Sequence, residues 1–188
     1  MKKKITLGLI LLLGYASHSQ DSIKEDIKYT KEIKKLATKK QVKTAFQVIL
    51  DLEPKTIKNH IELTEIEAPP FKEEIRAIEF AKKLEEIGID KVWIDSIGNV
   101  LGLIKGFEGK RNVAIDGHLD TVFPEGTDLK VKIKNDTLFA PGIGDCTRCL
   151  SMLLTIAEAI TKSEIKTRDN ILIIGTVGEE GLGDLRGV

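Results

Sequence analysis

Five side chains in three short stretches can do chemistry together: His118 and Asp120 in Gly117-His118-Leu119-Asp120, Asp145 in Gly142-Ile143-Gly144-Asp145-Cys146, and the pair Glu179-Glu180. Imidazole and carboxylate are the donors that zinc prefers in a fixed shell. Two such ions, about 3.5–4 Å apart, need a carboxylate to bridge them and share an activated water. His118 is a natural ligand. Asp120, two residues on, is poorly placed for the same ion but can accept from the other ring nitrogen, which would fix the tautomer. Asp145 lies in a glycine-rich loop where Gly142 and Gly144 let the backbone come close, as a bridging carboxylate requires. Adjacent carboxylates repel each other unless a cation is near. In Glu179-Glu180 one can bind metal while the other takes a proton from water.

These residues need strand ends to hold them. Asn112 to Asp116 reads as a short apolar strand feeding Gly117-His118. Asn170 to Val177 is a β-branched run that predicts a buried central strand ending at the Glu pair. Lys91 to Asp95 and Val100 to Lys105 predict one hairpin, and Leu129 to Lys134 with Thr137 to Ala140 another. Residues 54–66 predict a helix with Pro54 in its first turn. Phe71 to Gly88 predicts an amphipathic helix with Ile75, Ile78, Ala81 and Leu84 facing inward and Gly88 as the stop. Cys146 to Thr161 predicts a helix with Leu150, Leu153, Leu154, Ala157 and Ile160 on its buried side. Strands interleaved with helices make this an α/β fold, a mixed sheet flanked by helices. In such sheets sites form past the C-terminal ends of strands, where His118 and Glu179 fall.

The front of the chain reads as a leader. Lys2, Lys3 and Lys4 precede an apolar run from Ile5 to Leu13 that is too short to span a bilayer. Ala16-Ser17-His18-Ser19 offers small residues, which predicts a signal peptide over 1–19, cleavage before Gln20 and export to the periplasm or medium. The alternative is an uncleaved N-terminal anchor. Residues 20–53 then form a helical lead-in, and 54–188 the catalytic portion. The chain has 29 basic and 29 acidic residues. Losing three lysines tips it slightly acidic, which excludes nucleic acid or an anionic membrane as a partner.

Other features carry less. Cys146 and Cys149 are the only cysteines. They can pair, bind metal, or simply fill a helix start, and the expectation is that they stand near the site without ligating. Gly181-Leu182-Gly183 with Gly187 is one residue too long for a dinucleotide loop. His60 reads as a solvated residue on a polar helix face. Glu158 and Lys162 read as surface charges at i,i+4 spacing.

The order His-x-Asp, Gly-rich loop with Asp, Glu-Glu resembles the co-catalytic zinc peptidase and deacylase superfamily. That group includes peptidase T, carboxypeptidase G, acetylornithine deacetylase, succinyl-diaminopimelate desuccinylase and aminoacylase. The resemblance covers roughly Ile57 to Gly187. It implies that His118 binds one zinc, Asp145 bridges both, Glu180 binds the other, Glu179 is the general base and Asp120 supports His118. It implies two Zn2+ per complete site, with Co2+ or Mn2+ as substitutes, and small peptides or N-acyl amino acids as substrates. A full-length homodimer with a separate lid or dimerisation domain is also implied. Cys146 and Cys149 depart from the pattern, which has a small or acidic residue after the bridging Asp and a glycine at the later position. A later acidic ligand and a late histidine have no counterpart here. The expectation is therefore an N-terminal portion inactive alone; the other reading is a truncated binding protein that keeps part of the metal site.

Overall fold

The computed structural model describes residues 27–188. The signal segment and the start of the lead-in lie outside the described residues. Five α-helices are formed among the described residues: α1 (Ile27–Ala37), α2 (Lys40–Asp51), α3 (Glu53–Thr64), α4 (Glu74–Ile87) and α5 (Thr147–Lys162). Six strands accompany them: β1 (Lys91–Ile94), β2 (Val100–Ile104), β3 (Asn112–His118), β4 (Lys132–Lys134), β5 (Thr137–Phe139) and β6 (Asn170–Thr176). β4 and β5 form a separate hairpin. The main sheet has the order β1-β2-β6-β3, with β3 parallel to β6 and the other neighbours antiparallel. No helix among the described residues is long and apolar enough to cross a membrane.

The β3–β6 pairing positions the site. His118 sits opposite Thr176 in register, so the parallel strands finish together and release their loops at one corner. Parallel neighbours need a long crossover, supplied here by the β4–β5 hairpin and α5. Helices α4 and α5 pack on one face of the sheet, α2 and α3 stack on them from outside, and α1 meets α2. The core lies between, built from Ala77, Phe80, Ala81 and Leu84 of α4, Leu150, Leu153, Leu154 and Ala157 of α5, and Val100, Ile104 and Ile173 of the sheet. Two strand glycines permit that approach. A Cβ at Gly175 would stand 3.0 Å from the Phe80 ring, and one at Gly117 3.2 Å from Cys149 Cβ. The opposite face, with Trp93, Leu101, Leu103, Leu172 and Ile174, stays half-buried, and among the described residues no helix is laid over it.

Three expectations change. In α4 the residues expected to face inward were Ile75, Ile78, Ala81 and Leu84, but Ile75 and Ile78 are exposed and the buried stripe is Ala77, Phe80, Ala81 and Leu84. A spacing of three drifts off a 3.6-residue repeat, whereas 77, 80, 81 and 84 follow it. Glu158 is buried, not a surface charge, and accepts from Lys55 at 2.7 Å and Lys162 at 2.8 Å. His60 is not solvated either. Its Nε2 meets the Ile143 carbonyl at 2.5 Å, tying α3 to the glycine-rich loop.

Candidate metal centre

His118 ends β3 with its side chain mostly buried. Its Nε2 lies 2.9 Å from Asp145 Oδ1. Its Nδ1 lies 3.0 Å from the backbone carbonyl of Asp120 and 3.7 Å from that residue's carboxylate. The carboxylate of Asp120 instead serves the other strand end. Oδ1 accepts the backbone N–H of Glu179 at 3.0 Å, and Oδ2 that of Glu180 at 2.7 Å. Asp120 therefore joins the His-x-Asp stretch to the Glu pair, a role the spacing alone did not suggest.

Two overlapping groups of donor atoms result, each within 4.8 Å of one another: His118 with Asp145 and Cys146, and His118 with Glu179 and Glu180. Cys146 was expected near the site but outside the ligand cluster, yet its thiol is inside it. Cys149 belongs to neither group. All five expected side chains converge on one corner, with Asp145 highly exposed and Asp120 fully buried.

The loops that carry these donors are held from below. Thr147 donates to the Gly142 carbonyl at 3.1 Å and meets Thr64 of α3 at 2.7 Å, so α3 clamps the Asp145 loop through His60, Thr64 and Thr147. Gly142 has a φ of 71°, and a Cβ there would stand 3.0 Å from Thr121. Gly144 has open space around it and no such conformation, so only Gly142 of the two requires glycine. The Asp145–Cys146 peptide is cis. Beyond β6, the buried carboxylate of Glu73 accepts from Gly178 N at 3.0 Å and from Arg186 at 2.9 Å. Asn99 Oδ1 accepts from Val177 N at 3.0 Å, and its Nδ2 donates to the Gly187 carbonyl at 2.9 Å.

Arg76 was missed in the sequence. It is fully buried, donates to the Leu119 carbonyl at 2.5 Å and also to the Ile66 carbonyl. Burial lowers its pKa to about 10, against the pull of the Asp120 charge. A usable signal existed: Arg76 stands four residues before Phe80, on the apolar side of α4, and a charge there needs buried partners.

Charge is concentrated at this corner. Burial works against a charged His118 ring, but Asp120, Cys146 and Asp145 outweigh it and push its pKa up to about 11. Burial raises the Glu180 carboxyl, and the charges of Asp145 and Glu179 raise it further. Asp120 is held below the carboxylate range: burial opposes this, but His118 and the two backbone N–H donors prevail. Anionic donors pressed together in this way favour a cation among them. One imidazole, three carboxylates and a thiol at one point form a set that zinc accepts.

The fold is an α/β sheet with candidate metal donors gathered where the parallel strands β3 and β6 end. Residues 114–188 match the profile of peptidase family M20/M25/M40. A putative LysW-lysine/LysW-ornithine hydrolase of Pyrococcus abyssi is 38% identical over 120 residues, which are 64% of this chain and 32% of that protein. Human carnosine dipeptidase 1 superposes with a TM-score of 0.64 at 17% identity, covering 76% of this chain and 36% of that one. Bacillus subtilis YXEP, described as a dinuclear metal binding peptidase of the M20 family, superposes with a TM-score of 0.52 at 18% identity, covering 67% and 35%. The chain thus spans about a third of the length of these relatives.

Proposed function

We propose that this chain supplies part of the active site of a metal-dependent amide hydrolase acting on small peptides or N-acyl amino acids. The carrying observation is the convergence at Asp120. Two strand ends nearly sixty residues apart are locked together by its two carboxylate oxygens, while His118 on the same loop touches Asp145. The family match and the peptidase relatives support the reading.

His118, Asp145 and Glu180 would hold two zinc ions, with Asp145 shared; cobalt or manganese could substitute. When bound, the metals polarise the scissile carbonyl and make a water acidic enough to attack near neutral pH. Glu179, exposed beside the cluster, takes the proton of that water and returns it to the leaving amine. Asp120 fixes the Glu179 and Glu180 backbone, so the base cannot drift from the ligands. Arg76 holds the Leu119 carbonyl beneath them.

We further propose that these 188 residues do not turn over substrate alone. Glu180 and Asp145 are too few to hold the second ion while leaving water a place, since catalytic zinc usually has three protein ligands. The test has two parts. Zinc titration of the chain should show saturable binding that His118→Ala abolishes; its absence sinks the metal reading. Hydrolysis of dipeptides and N-acetyl amino acids should require a form extended to the relatives' length, and Glu179→Ala should then cut kcat by about 10²–10⁴-fold.

A further inference from the structure

Resting on the metal reading above, we infer that Cys146 is a thiolate ligand of the ion held by His118 and Asp145, giving that ion a nitrogen, oxygen and sulfur shell. The Cys146 thiol, the His118 ring nitrogen and an Asp145 carboxylate oxygen already lie within 4.8 Å of one another. Donors around a tetrahedral zinc, at about 2.0–2.3 Å from it, stand roughly 3.4–3.7 Å apart. Side-chain rotations therefore suffice to close the shell. Cys146 is buried, 7% exposed, so its thiol cannot be an incidental surface group. It lies against β3 at Gly117, where a Cβ would stand 3.6 Å from the Cys146 sulfur, an ordinary contact.

The two cysteines are not equivalent. Cys146 precedes the first residue of α5 and follows Asp145 directly, so the loop that places the carboxylate also places the thiol. Cys149 lies within the first turn of α5, is exposed and falls outside both donor groups. Its thiol rests against that of Cys146 and acts as a neighbour, not a ligand. On binding, the Cys146 proton leaves to solvent and the sulfur lone pair takes its place on the ion. The ion then has three protein donors and an open position, the count typical of a catalytic zinc.

Cobalt replaces zinc in such shells and reports the donor type directly. The whole chain, its Cys146→Ser and Cys149→Ser variants are titrated anaerobically with Co2+ under reducing conditions and followed by absorption. Thiolate ligation gives an intense near-ultraviolet sulfur-to-cobalt charge-transfer band; nitrogen and oxygen ligation gives only weak visible bands. The expected result is the intense band in the unaltered chain and in Cys149→Ser, lost in Cys146→Ser. Zinc affinity in Cys146→Ser, read by competition with a chromophoric chelator, should fall on the order of tenfold or more, since even outer partners cost 10–100-fold. Weak visible bands without the intense band in the unaltered chain overturn the thiolate ligand and leave the metal centre standing. A band lost in Cys149→Ser but kept in Cys146→Ser overturns it as well. No cobalt spectrum at all overturns both readings. The unaltered chain and Cys149→Ser decide the matter even where Cys146→Ser folds poorly, and circular dichroism of each variant identifies that case.

Discussion

Both carboxylate oxygens of Asp120 accept backbone N–H groups, from Glu179 and Glu180, while its charge faces the buried Arg76 guanidinium. Each feature requires an anion with two free acceptor edges. Asparagine matches aspartate in volume but offers one acceptor and one donor, so one N–H would face an NH2 group. A buried donor left unsatisfied costs about 1–3 kcal/mol, and an uncompensated buried charge adds to it. We predict that Asp120→Asn loses about 2–4 kcal/mol of stability in urea denaturation. Zinc binding should weaken too, because the Glu180 backbone is no longer fixed. A variant as stable as the original would show that the two hydrogen bonds are not made in solution. The sequence made His118, Asp145 and the Glu pair legible, because few chemistries need those types in that order. It did not reveal what Asp120 touches, since a hydrogen bond to a backbone sixty residues away leaves no trace in spacing. Arg76 and Glu73 were hidden for a related reason. A charge on a predicted helix is read as solvated until its buried partners are known.

At the scale of elements, periodicity found the strands and α5, and turn chemistry found both hairpins. It misplaced the inner face of α4 because two isoleucines at spacing three outweighed a flatter stripe of alanines and Phe80. It also read Glu158 as exposed. That residue faces inward from α5 toward α3, where Lys55 and Lys162 reach over it. Burial raises its pKa, but the two lysines outweigh this and hold it below its ordinary 4.5. A folded value below the unfolded one means stability is present above the unfolded value and lost as pH falls through the folded one. We therefore predict that the original chain loses more stability than Glu158→Gln between neutral pH and pH values below 4.5. At neutral pH the variant should be about 1.5–3 kcal/mol less stable, the range of hydrogen bonds to charged groups. Denaturation midpoints at the two pH values check it, and parallel pH curves for the two proteins would refute it.

For the whole molecule, the decisive feature is an uncovered sheet. Among the described residues helices lie on one face only, and β3, which delivers His118, is an edge strand in the order β1-β2-β6-β3. Its Val113 is 56% exposed and Ile115 37%. On the other face, Trp93, Leu101, Leu103, Leu172 and Ile174 remain half-buried. An edge strand with unpaired N–H and C=O groups and apolar side chains is a template for another strand. Charged residues are the usual protection, and along β3 only Asp116 supplies one, close to the site end. We predict that the 188-residue chain self-associates reversibly as its concentration rises, through β3, and that Val113→Lys shifts it toward monomer. Val113 is exposed, so the lysine head reaches water and folding is undisturbed. The same variant should keep its zinc affinity, because Val113 stands at the far end of β3 from His118. Sedimentation across a concentration series separates the possibilities. A chain that stays monomeric throughout, or association unchanged by Val113→Lys, would rule out the edge as the contact. If the association does run through β3, zinc titration at low and high concentration should still agree, since the donor corner lies beyond the end of the strand and pairing leaves it open.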